Sequence, residues 1–287
     1  MLQTAPESLF WYWIAERHAI YLKRQAGLPK PWTTDPILQQ YKFTNPFREN
    51  DTGTVWLRDN FLRPYANADL YLLAFNIGWY RMFNWWGTGE LLGWQTRWDP
   101  PEVVEKLSDA MMSGRQIFTG AHIVYSRPGI PKIDAIVKVC DDLYKLSPRV
   151  ASEARVTLSL QKVFDLLQTV DCVGGFMGYE MVTDMRHTRL LSDATDIMTW
   201  ANMGPGAKRG LQRLGMPCTN QREGCASMRE LLSRAGEGLC QYVSPIAANP
   251  DWPIVEMRDI EHSLCEFDKY CRVKFGEGEP RSKYNGV

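Results

Sequence analysis

Apolar residues along this chain recur mostly at helical spacing. A repeat of three and four residues places apolar side chains on one face of a helix. Strand-like alternation of apolar and polar residues is nearly absent, so the pattern predicts a mainly α fold. The positions that define four such faces are Leu70, Leu73, Ile77 and Tyr80; Ile133, Ile136, Val137, Cys140 and Tyr144; Val156, Leu160, Val163, Phe164 and Leu167; and Ile260, Leu264, Phe267 and Cys271.

The stretch from Lys30 to Asp51, here called the proline-interrupted segment, breaks this pattern. Its three prolines exclude one continuous helix, because proline lacks an amide proton and pushes the preceding residue toward extended backbone. Irregular backbone that carries polar and aromatic groups either lines a functional site or forms a loop pinned by its aromatics, and both interpretations are open. The side chains of this kind are Trp32, Asp35, Phe43, Asn45, Arg48 and Asp51.

The distribution of residue types predicts two lobes. The N-terminal lobe, residues 1–100, carries the proline-interrupted segment and five of the eleven tryptophans, between Trp79 and Trp98. So dense a cluster is either core or a platform on which bases stack. Residues 101–287 form a helical lobe, in which the stretch 166–178 ends one helix in glycines and begins another.

Composition restricts the class of protein without naming its function. Lys+Arg and Asp+Glu balance at 33 each, so only local basic clusters could favour a nucleic-acid partner. The seven cysteines contain no CxxC pair, which argues against a disulfide framework and a zinc ribbon. No apolar run has the length of a membrane span, and the N-terminus lacks a signal-peptide pattern. We therefore expect a soluble cytoplasmic protein with no membrane partner.

Seven blocks of sequence, in one order, resemble a known family. They are ERHAIYLKRQAG (16–27), PWTTDPIL (31–38), YKFTNPFREND (41–51), IFTGAHIV (117–124), VGGFMGYEMVTDMR (173–186), DIMTWANMGPGAKRGLQRLG (196–215) and DIEHSLCEFDKY (259–270). Together they resemble the α-glutamyl/putrescinyl-thymine pyrophosphorylase-like proteins, which are amino acid:DNA transferases of bacteriophage thymidine hypermodification. The likeness covers nearly the whole chain.

The resemblance implies a fold, a reaction and its partners. The fold would be a helical one of the helix-hairpin-helix DNA-glycosylase type. The partners would be double-stranded DNA that carries 5-(pyrophosphomethyl)uracil and a free amino acid or polyamine, whose amine displaces pyrophosphate in the host cell cytoplasm. The chain has no GxxxxGK[ST] motif, so the DNA base kinase that prepares this substrate is expected to be separate.

Such chemistry needs a pocket for an extruded base, because an enclosed site cannot surround a stacked one. Trp32, Phe43 and Asn45 suit stacking and edge reading, since an amide offers a donor and an acceptor. Asn45 can equally cap a turn beside Pro46. The resemblance places a phosphate-binding hairpin at Val173, Gly174 and Gly175, which depart from the usual Gly-hydrophobic-Gly; a plain turn between helices is the alternative.

Anionic groups of the substrate call for guanidinium, ammonium and backbone amide donors. In GPGAKRGLQRL, Gly204 and Gly206 would allow close approach to pyrophosphate or to a DNA strand, and cations follow. A Gly-Pro turn before a solvated basic helix is the alternative. The candidate cations for phosphate or carboxylate are Arg17, Arg48, Lys208, Arg209, Arg213 and Lys269.

An amine nucleophile arrives as an ammonium, so a carboxylate or a histidine must take its proton. The resemblance supports Asp196, which follows the hairpin glycines at the distance of the glycosylase aspartate, although Asp193 fits almost as well. His262 and Glu266 share a helix face and form either a base with its orienting group or an exposed pair. The full set of candidates is Glu16, Asp51, Asp196, Glu261, His262 and Glu266.

No metal site is predicted, because the four histidines form neither HxxxH nor HExxH. Magnesium could still accompany pyrophosphate. Two alternatives stand beside the transferase: a DNA glycosylase that acts on a modified pyrimidine, and a non-catalytic reader of modified DNA.

Overall fold

The computed structural model describes residues 6–120, 129–242, 252–280 and 283–284 of the chain. Within these ranges nearly all regular structure is helical, and an isolated bridge between Tyr41 and Lys283 is the one element of β geometry. The prediction of a mainly α fold is therefore confirmed. Residues 121–124, the second half of the block IFTGAHIV, lie outside the described residues.

The α-helices are numbered in chain order. They are α1 (Pro6–Gln25), α2 (Pro36–Gln40), α3 (Thr52–Trp56), α4 (Leu70–Phe83), α5 (Trp86–Leu92), α6 (Pro100–Met112), α7 (Lys132–Thr157), α8 (Leu160–Leu167), α9 (Gly175–Met185), α10 (Pro205–Arg213), α11 (Gln221–Ser233), α12 (Ala235–Cys240) and α13 (Met257–Lys274). Single 3-10 turns span Arg48–Asn50 and Arg63–Tyr65, and a π-helical stretch spans Leu57–Leu62.

The chain divides into two compact units. The first unit combines Met1–Asp51 with Ile197–Val287, and the second is Thr52–Asp196. The division predicted near residue 100 thus falls inside the second unit. The first unit is assembled from two distant parts of the sequence, so the proline-interrupted segment and α13 belong to the same body.

Helix α13 is the central helix of the first unit. It begins with a capping box, in which the side chains of Glu256 and Asp259 each accept from the backbone amide of the other. Its apolar face, predicted from Ile260, Leu264 and Phe267, is buried and packs against α1, α10 and α11. The close contact with α10 depends on glycine: a Cβ at Gly206 would collide with Cys265, and a Cβ at Gly210 with the backbone of Leu264.

Helix α4 has the corresponding place in the second unit. Its residues from Leu72 to Phe83 are all buried, which is typical of a helix enclosed by others. It packs against α7 and α9. Trp79 and Trp98 of the tryptophan cluster are core residues, whereas Trp86 is about half exposed. Trp85 and Trp94 are partly exposed, and Trp94 stacks on Tyr65, so packing explains most of the cluster.

One predicted helix is wrong. The apolar spacing from Val156 to Leu167 suggests a single helix, but α7 ends at Thr157 and α8 begins at Leu160. Leu158 takes a left-handed backbone conformation with φ of 46°, and the side chain of Ser159 accepts from the amide of Lys162 as a cap. Val156 consequently points into solvent.

A buried ion cluster joins α4 to α9. Arg81 donates to both carboxylate oxygens of Asp184, and its Nη1 lies 3.2 Å from Oε2 of Glu180. Asn84 also accepts from Arg81, at 2.9 Å. All three charged side chains are almost fully buried. One cation thus neutralises two carboxylates that have little access to water.

We predict that Arg81→Met destabilises the second unit strongly. Removing one partner of a buried ion pair leaves uncompensated charge, which typically costs about 3–5 kcal/mol of unfolding free energy. Urea unfolding followed by circular dichroism measures this loss. Arg97→Met is the matched control, because Arg97 and Glu102 form an exposed pair of about 0–1 kcal/mol. Equal small losses in both variants would contradict the prediction.

Candidate functional site

The proline-interrupted segment is anchored by a buried carboxylate, Asp35. Its Oδ2 accepts from the hydroxyl of Tyr270 at 2.7 Å and from the hydroxyl of Tyr12 at 3.1 Å. Its Oδ1 caps α2 by accepting from the amides of Ile37 and Leu38. Burial and the nearby carboxylate raise the pKa of both tyrosines, so both remain donors at neutral pH. One side chain therefore ties α1 and α13 to the start of α2.

Two charged residues clamp the next part of the segment through its backbone. Arg17 of α1 donates to the carbonyl oxygen of Phe43 from two nitrogens, at 3.2 and 3.3 Å. Glu266 of α13 accepts from the amide of Thr44 at 3.0 Å. Lys269 pairs with the same Glu266 oxygen at 2.7 Å and lies 4.7 Å from the ring centre of Phe43. These contacts fix Phe43 and Thr44 against α1 and α13.

Asp51 organises the end of the segment. Its Oδ1 accepts from the backbone amide of Asn45 at 3.0 Å and from Nδ2 of the same residue at 2.8 Å. Its Oδ2 lies 2.9 Å from Nε of Arg48. Burial raises the pKa of Asp51 above its ordinary value, and Arg48 and Asn45 offset only part of this rise. Asp51 thus holds the segment in a closed turn.

A chain of polar contacts leads from Asp51 to the start of α10. Nη1 of Arg48 lies 2.5 Å from Nε2 of His262, and Nδ1 of His262 lies 3.5 Å from Oε2 of Glu261. The other oxygen of Glu261 accepts from the amide of Gly204 at 3.0 Å. Because a guanidinium only donates, Nε2 of His262 is the acceptor and the ring proton lies on Nδ1, toward Glu261. Of the predicted residues, the structure brings these together most closely.

Glu16 of α1 and Trp32 have partners near the beginning of the segment. Glu16 accepts from the hydroxyl of Thr33 at 2.5 Å. The indole of Trp32 donates to the carbonyl of Leu28 at 2.6 Å, and the ammonium of Lys30 lies 5.2 Å from its ring centre. Trp32 is partly exposed and belongs to the turn that follows α1.

The basic residues of α10 have a structural role in the first unit. Arg209 and Arg213 both donate to Asp268 of α13, at 2.8 and 2.7 Å, and Asp268 is buried. Arg213 also pairs with Glu277, while Lys208 is half-exposed. The glycines that were expected to approach an anion instead allow α10 to pack on α13. The amide at the start of α10 already binds the carboxylate of Glu261.

The remaining predicted residues belong to the second unit. Asp196 caps α8: its carboxylate accepts from the hydroxyl of Ser159 and from the amides of Leu160 and Gln161. Val173 is buried, Gly174 is the cap of α9, and Gly175 is its first residue. Residues 168–174 form the turn between α8 and α9, as expected of a hairpin. A role for these residues in binding DNA stays a prediction.

The sequence did not reveal the structural role of two carboxylates, Asp35 and Asp268. Asp35 was recognised as a polar residue of the segment but not as its anchor, although Asp before Pro at a helix start is a capping signal. Asp268 carried no signal at all, because its partners are distant in sequence. Burial raises the pKa of Cys265 to about 12, which agrees with a packing role for this thiol.

Metal and membrane features are lacking in the described part of the chain. No group of three or more His, Cys, Asp or Glu side chains there could hold a metal ion. No helix among the described residues is long and apolar enough to cross a membrane.

Comparison with known proteins gives two matches. The family model described as "5-hmdU DNA kinase, helical domain" matches residues 5–279. A 5-hmdU DNA kinase of Bacillus phage SP10 is 27% identical over 289 residues, which cover 80% of this chain and 43% of that protein. The chain therefore spans less than half the length of this relative. No solved structure matches this chain.

These matches correct the function expected from the resemblance. Both concern a kinase of DNA, not a transferase that couples an amino acid or polyamine with loss of pyrophosphate. The assignment to the pyrophosphorylase-like family is therefore wrong, and so are the amine nucleophile and the pyrophosphate leaving group. The blocks that suggested it contain Asp35, Asp51, Gly206 and Gly210, whose contacts hold the fold together and do not specify a reaction.

We predict that Asp268→Asn weakens the fold in a pH-dependent way. Burial raises the pKa of Asp268, but hydrogen bonds from Arg209 and Arg213 outweigh it, so the net shift is downward. A lowered pKa stabilises the fold above the ordinary pKa, and this stability is lost as the pH falls through the folded-state pKa. The variant should therefore lose about 1–3 kcal/mol at pH 7 and progressively less below about pH 4.

The measurement is urea unfolding of both proteins between pH 7 and pH 3. Asp165→Asn, at an exposed position on α8, is the control and should change little at any pH. A loss that stays constant across this range would show that the ion pairs do not carry the effect.

Proposed function

Since this chain belongs to the family of the helical domain of 5-hmdU DNA kinase, we propose that it acts in the phosphorylation of 5-hydroxymethyluracil in DNA. Its part is to bind the modified DNA. The observation that carries this proposal is the extent of the family match, residues 5–279, which includes both units.

Phosphorylation of a hydroxymethyl group requires a phosphoryl donor and a base. The hydroxymethyl oxygen attacks the terminal phosphorus of a nucleoside triphosphate, an O–P bond forms, the bond to the diphosphate leaving group breaks, and the hydroxyl proton passes to a base. A triphosphate normally lies in a glycine-rich cradle of backbone amides. This sequence has no GxxxxGK[ST] motif, and the glycines at the start of α10 are used in packing. A phosphoryl-donor site is therefore expected outside this chain.

The contacts of the carboxylates favour recognition over proton transfer. Asp51 accepts from Asn45 and pairs with Arg48, and Glu266 accepts from Thr44 and pairs with Lys269. A general base needs an oxygen within reach of the substrate proton, whereas these oxygens hold protein donors. Such an arrangement keeps the proline-interrupted segment in one conformation, as a binding surface requires.

The cations around the segment suit a DNA backbone. Lys269 and Arg48 are about one-fifth exposed, and Arg209 on α10 is about half exposed. Exposed Arg and Lys side chains bind phosphates without regard to sequence, and groups at the base edge supply selectivity. In this proposal the cations of α10 and α13 hold the strand and Asn45 meets the base, while Phe43, which is buried against Trp13 and Tyr270, supports the segment. Magnesium would accompany the triphosphate and is not assigned to residues of this chain.

We predict selective binding to modified DNA. Fluorescence anisotropy with duplexes that differ in one base should show tighter binding to 5-hydroxymethyluracil than to thymine. Arg48→Met should weaken this binding roughly fivefold to thirtyfold, because Arg48 connects Asp51 to His262. Arg63→Met, at an exposed position of the second unit, should leave it unchanged. If a folded Arg48→Met protein binds the modified duplex as tightly as the native chain does, the segment is not part of the DNA-binding surface.

We also predict that this chain alone, given ATP and magnesium, leaves 5-hydroxymethyluracil DNA unphosphorylated. Mass spectrometry of digested nucleosides detects the added phosphoryl group. The 5-hmdU DNA kinase of Bacillus phage SP10, on the same DNA, is the positive control. Phosphorylated nucleoside from this chain alone would mean that it binds the phosphoryl donor itself, and the proposed division of labour would be wrong.

A further inference from the structure

The amide of Asn45 has only one possible orientation. Both its backbone amide and its Nδ2 donate to Oδ1 of Asp51, at 3.0 and 2.8 Å. The other oxygen of Asp51 faces Arg48 at 2.9 Å, so the carboxylate is surrounded by donors and acts as an acceptor. The NH₂ group of Asn45 therefore faces Asp51, and its carbonyl oxygen faces the opposite way.

That carbonyl oxygen is buried and has no donor in the described part of the chain. Asn45 is 7% exposed, and its Oδ1 makes no hydrogen bond there. A buried acceptor without a donor costs about 1–3 kcal/mol, so native proteins rarely keep one unless a ligand or a water supplies the donor. Four charged side chains hold the backbone of the segment in place: Arg17, Asp35, Asp51 and Glu266. The indole nitrogens of Trp13 and Trp98 also lack a partner in the described part of the chain, but only Oδ1 of Asn45 among these three atoms lies in the proline-interrupted segment, which favours a ligand there.

The available group limits the chemistry of that ligand. Asn45 was expected to offer a donor and an acceptor together, but Nδ2 already binds Asp51. What remains is an acceptor, which requires an N–H or O–H donor on the ligand. Uracil carries such a donor at N3, between its two carbonyl groups. Cytosine has no hydrogen at N3. The lone pair of its N3 would therefore face a lone pair of Oδ1, and the two would repel each other.

We propose that Oδ1 of Asn45 accepts the N3–H of an extruded 5-hydroxymethyluracil and so distinguishes it from 5-hydroxymethylcytosine. This inference rests on the proposed function. In a duplex the N3–H is paired with adenine, so the base has to leave the helix before Asn45 can bind it. Oδ1 of Asn45 is closed off from solvent in the structure, so the binding test decides whether a base reaches it.

The test uses single-stranded oligonucleotides, which remove differences in base pairing. Each carries one base: thymine, 5-hydroxymethyluracil, its N3-methyl derivative, or 5-hydroxymethylcytosine. Affinity is measured by fluorescence anisotropy. The native chain should bind 5-hydroxymethyluracil about tenfold more tightly than the N3-methyl derivative or the cytosine analogue, since each good base contact contributes this order of discrimination. Asn45→Leu should bind these three with equal affinity, whereas Asn50→Leu, in the same segment, should keep the native ranking.

Each outcome separates this inference from the function on which it rests. If the native chain prefers 5-hydroxymethyluracil to thymine but ignores N3 methylation, Asn45 does not read N3. If it shows no preference for the hydroxymethyl group at all, the proposed function fails as well. The N3-methyl comparison needs no variant, so equal binding of the two bases overturns the inference even if Asn45→Leu does not fold.

Discussion

The proline-interrupted segment has to satisfy its backbone without regular secondary structure, and much of the first unit depends on how it does so. Prolines remove amide donors and prevent a long helix, so side chains from other elements must supply partners. Asp35 caps the short α2, Arg17 and Glu266 bind one peptide group from its two sides, and Asp51 holds the final turn. Asp35 and Asp51 belong to the segment itself, whereas Arg17 comes from α1 and Glu266 from α13, which are far apart in the sequence. The conformation of the segment therefore depends on contacts from both helices.

The same constraint favours a recognition role. Charged groups that hold a backbone in place are poorly suited to exchange protons with a substrate, because each exchange would release the segment. What they provide is a rigid surface on which a few groups keep a defined direction. Arg48, His262 and Glu261 extend this order to the start of α10, where a carboxylate of the chain occupies the position that an anionic ligand would otherwise take.

Much of the fold could be predicted from the sequence where one local signal dominated. The apolar faces of α4 and α13 have uninterrupted helical spacing, and both helices form as expected. The helix predicted across Leu158 failed because one left-handed residue ends α7, and apolar spacing does not report backbone conformation. Gly204 and Gly206 were expected to allow the approach of an anion, but Gly206 packs against Cys265 of α13 and the amide of Gly204 binds Glu261. A glycine in the sequence indicates that another group comes close to the backbone, but it does not indicate which group.

Function was harder to predict for a related reason. Some residues suggested a pyrophosphate-releasing transferase. In the structure these residues hold loops in place, cap helices or let two helices pack closely at glycines. Such contacts are compatible with more than one reaction on the same modified base. The structure connects Asn45, Arg48, Asp51, His262 and Glu261 by contacts, but their part in function stays a prediction. Their role could not be derived in advance, because the orientation of Asn45 depends on a hydrogen bond that spacing does not reveal.

Hydrogen–deuterium exchange tests most directly whether this region recognises modified DNA. Exchange would be measured for the chain alone, with a thymine duplex, and with the same duplex carrying 5-hydroxymethyluracil. We expect amides in residues 41–51 and 257–266 to exchange more slowly with the modified duplex than with the unmodified one. Equal protection by the two duplexes, or modification-dependent protection confined to other residues, would contradict this account.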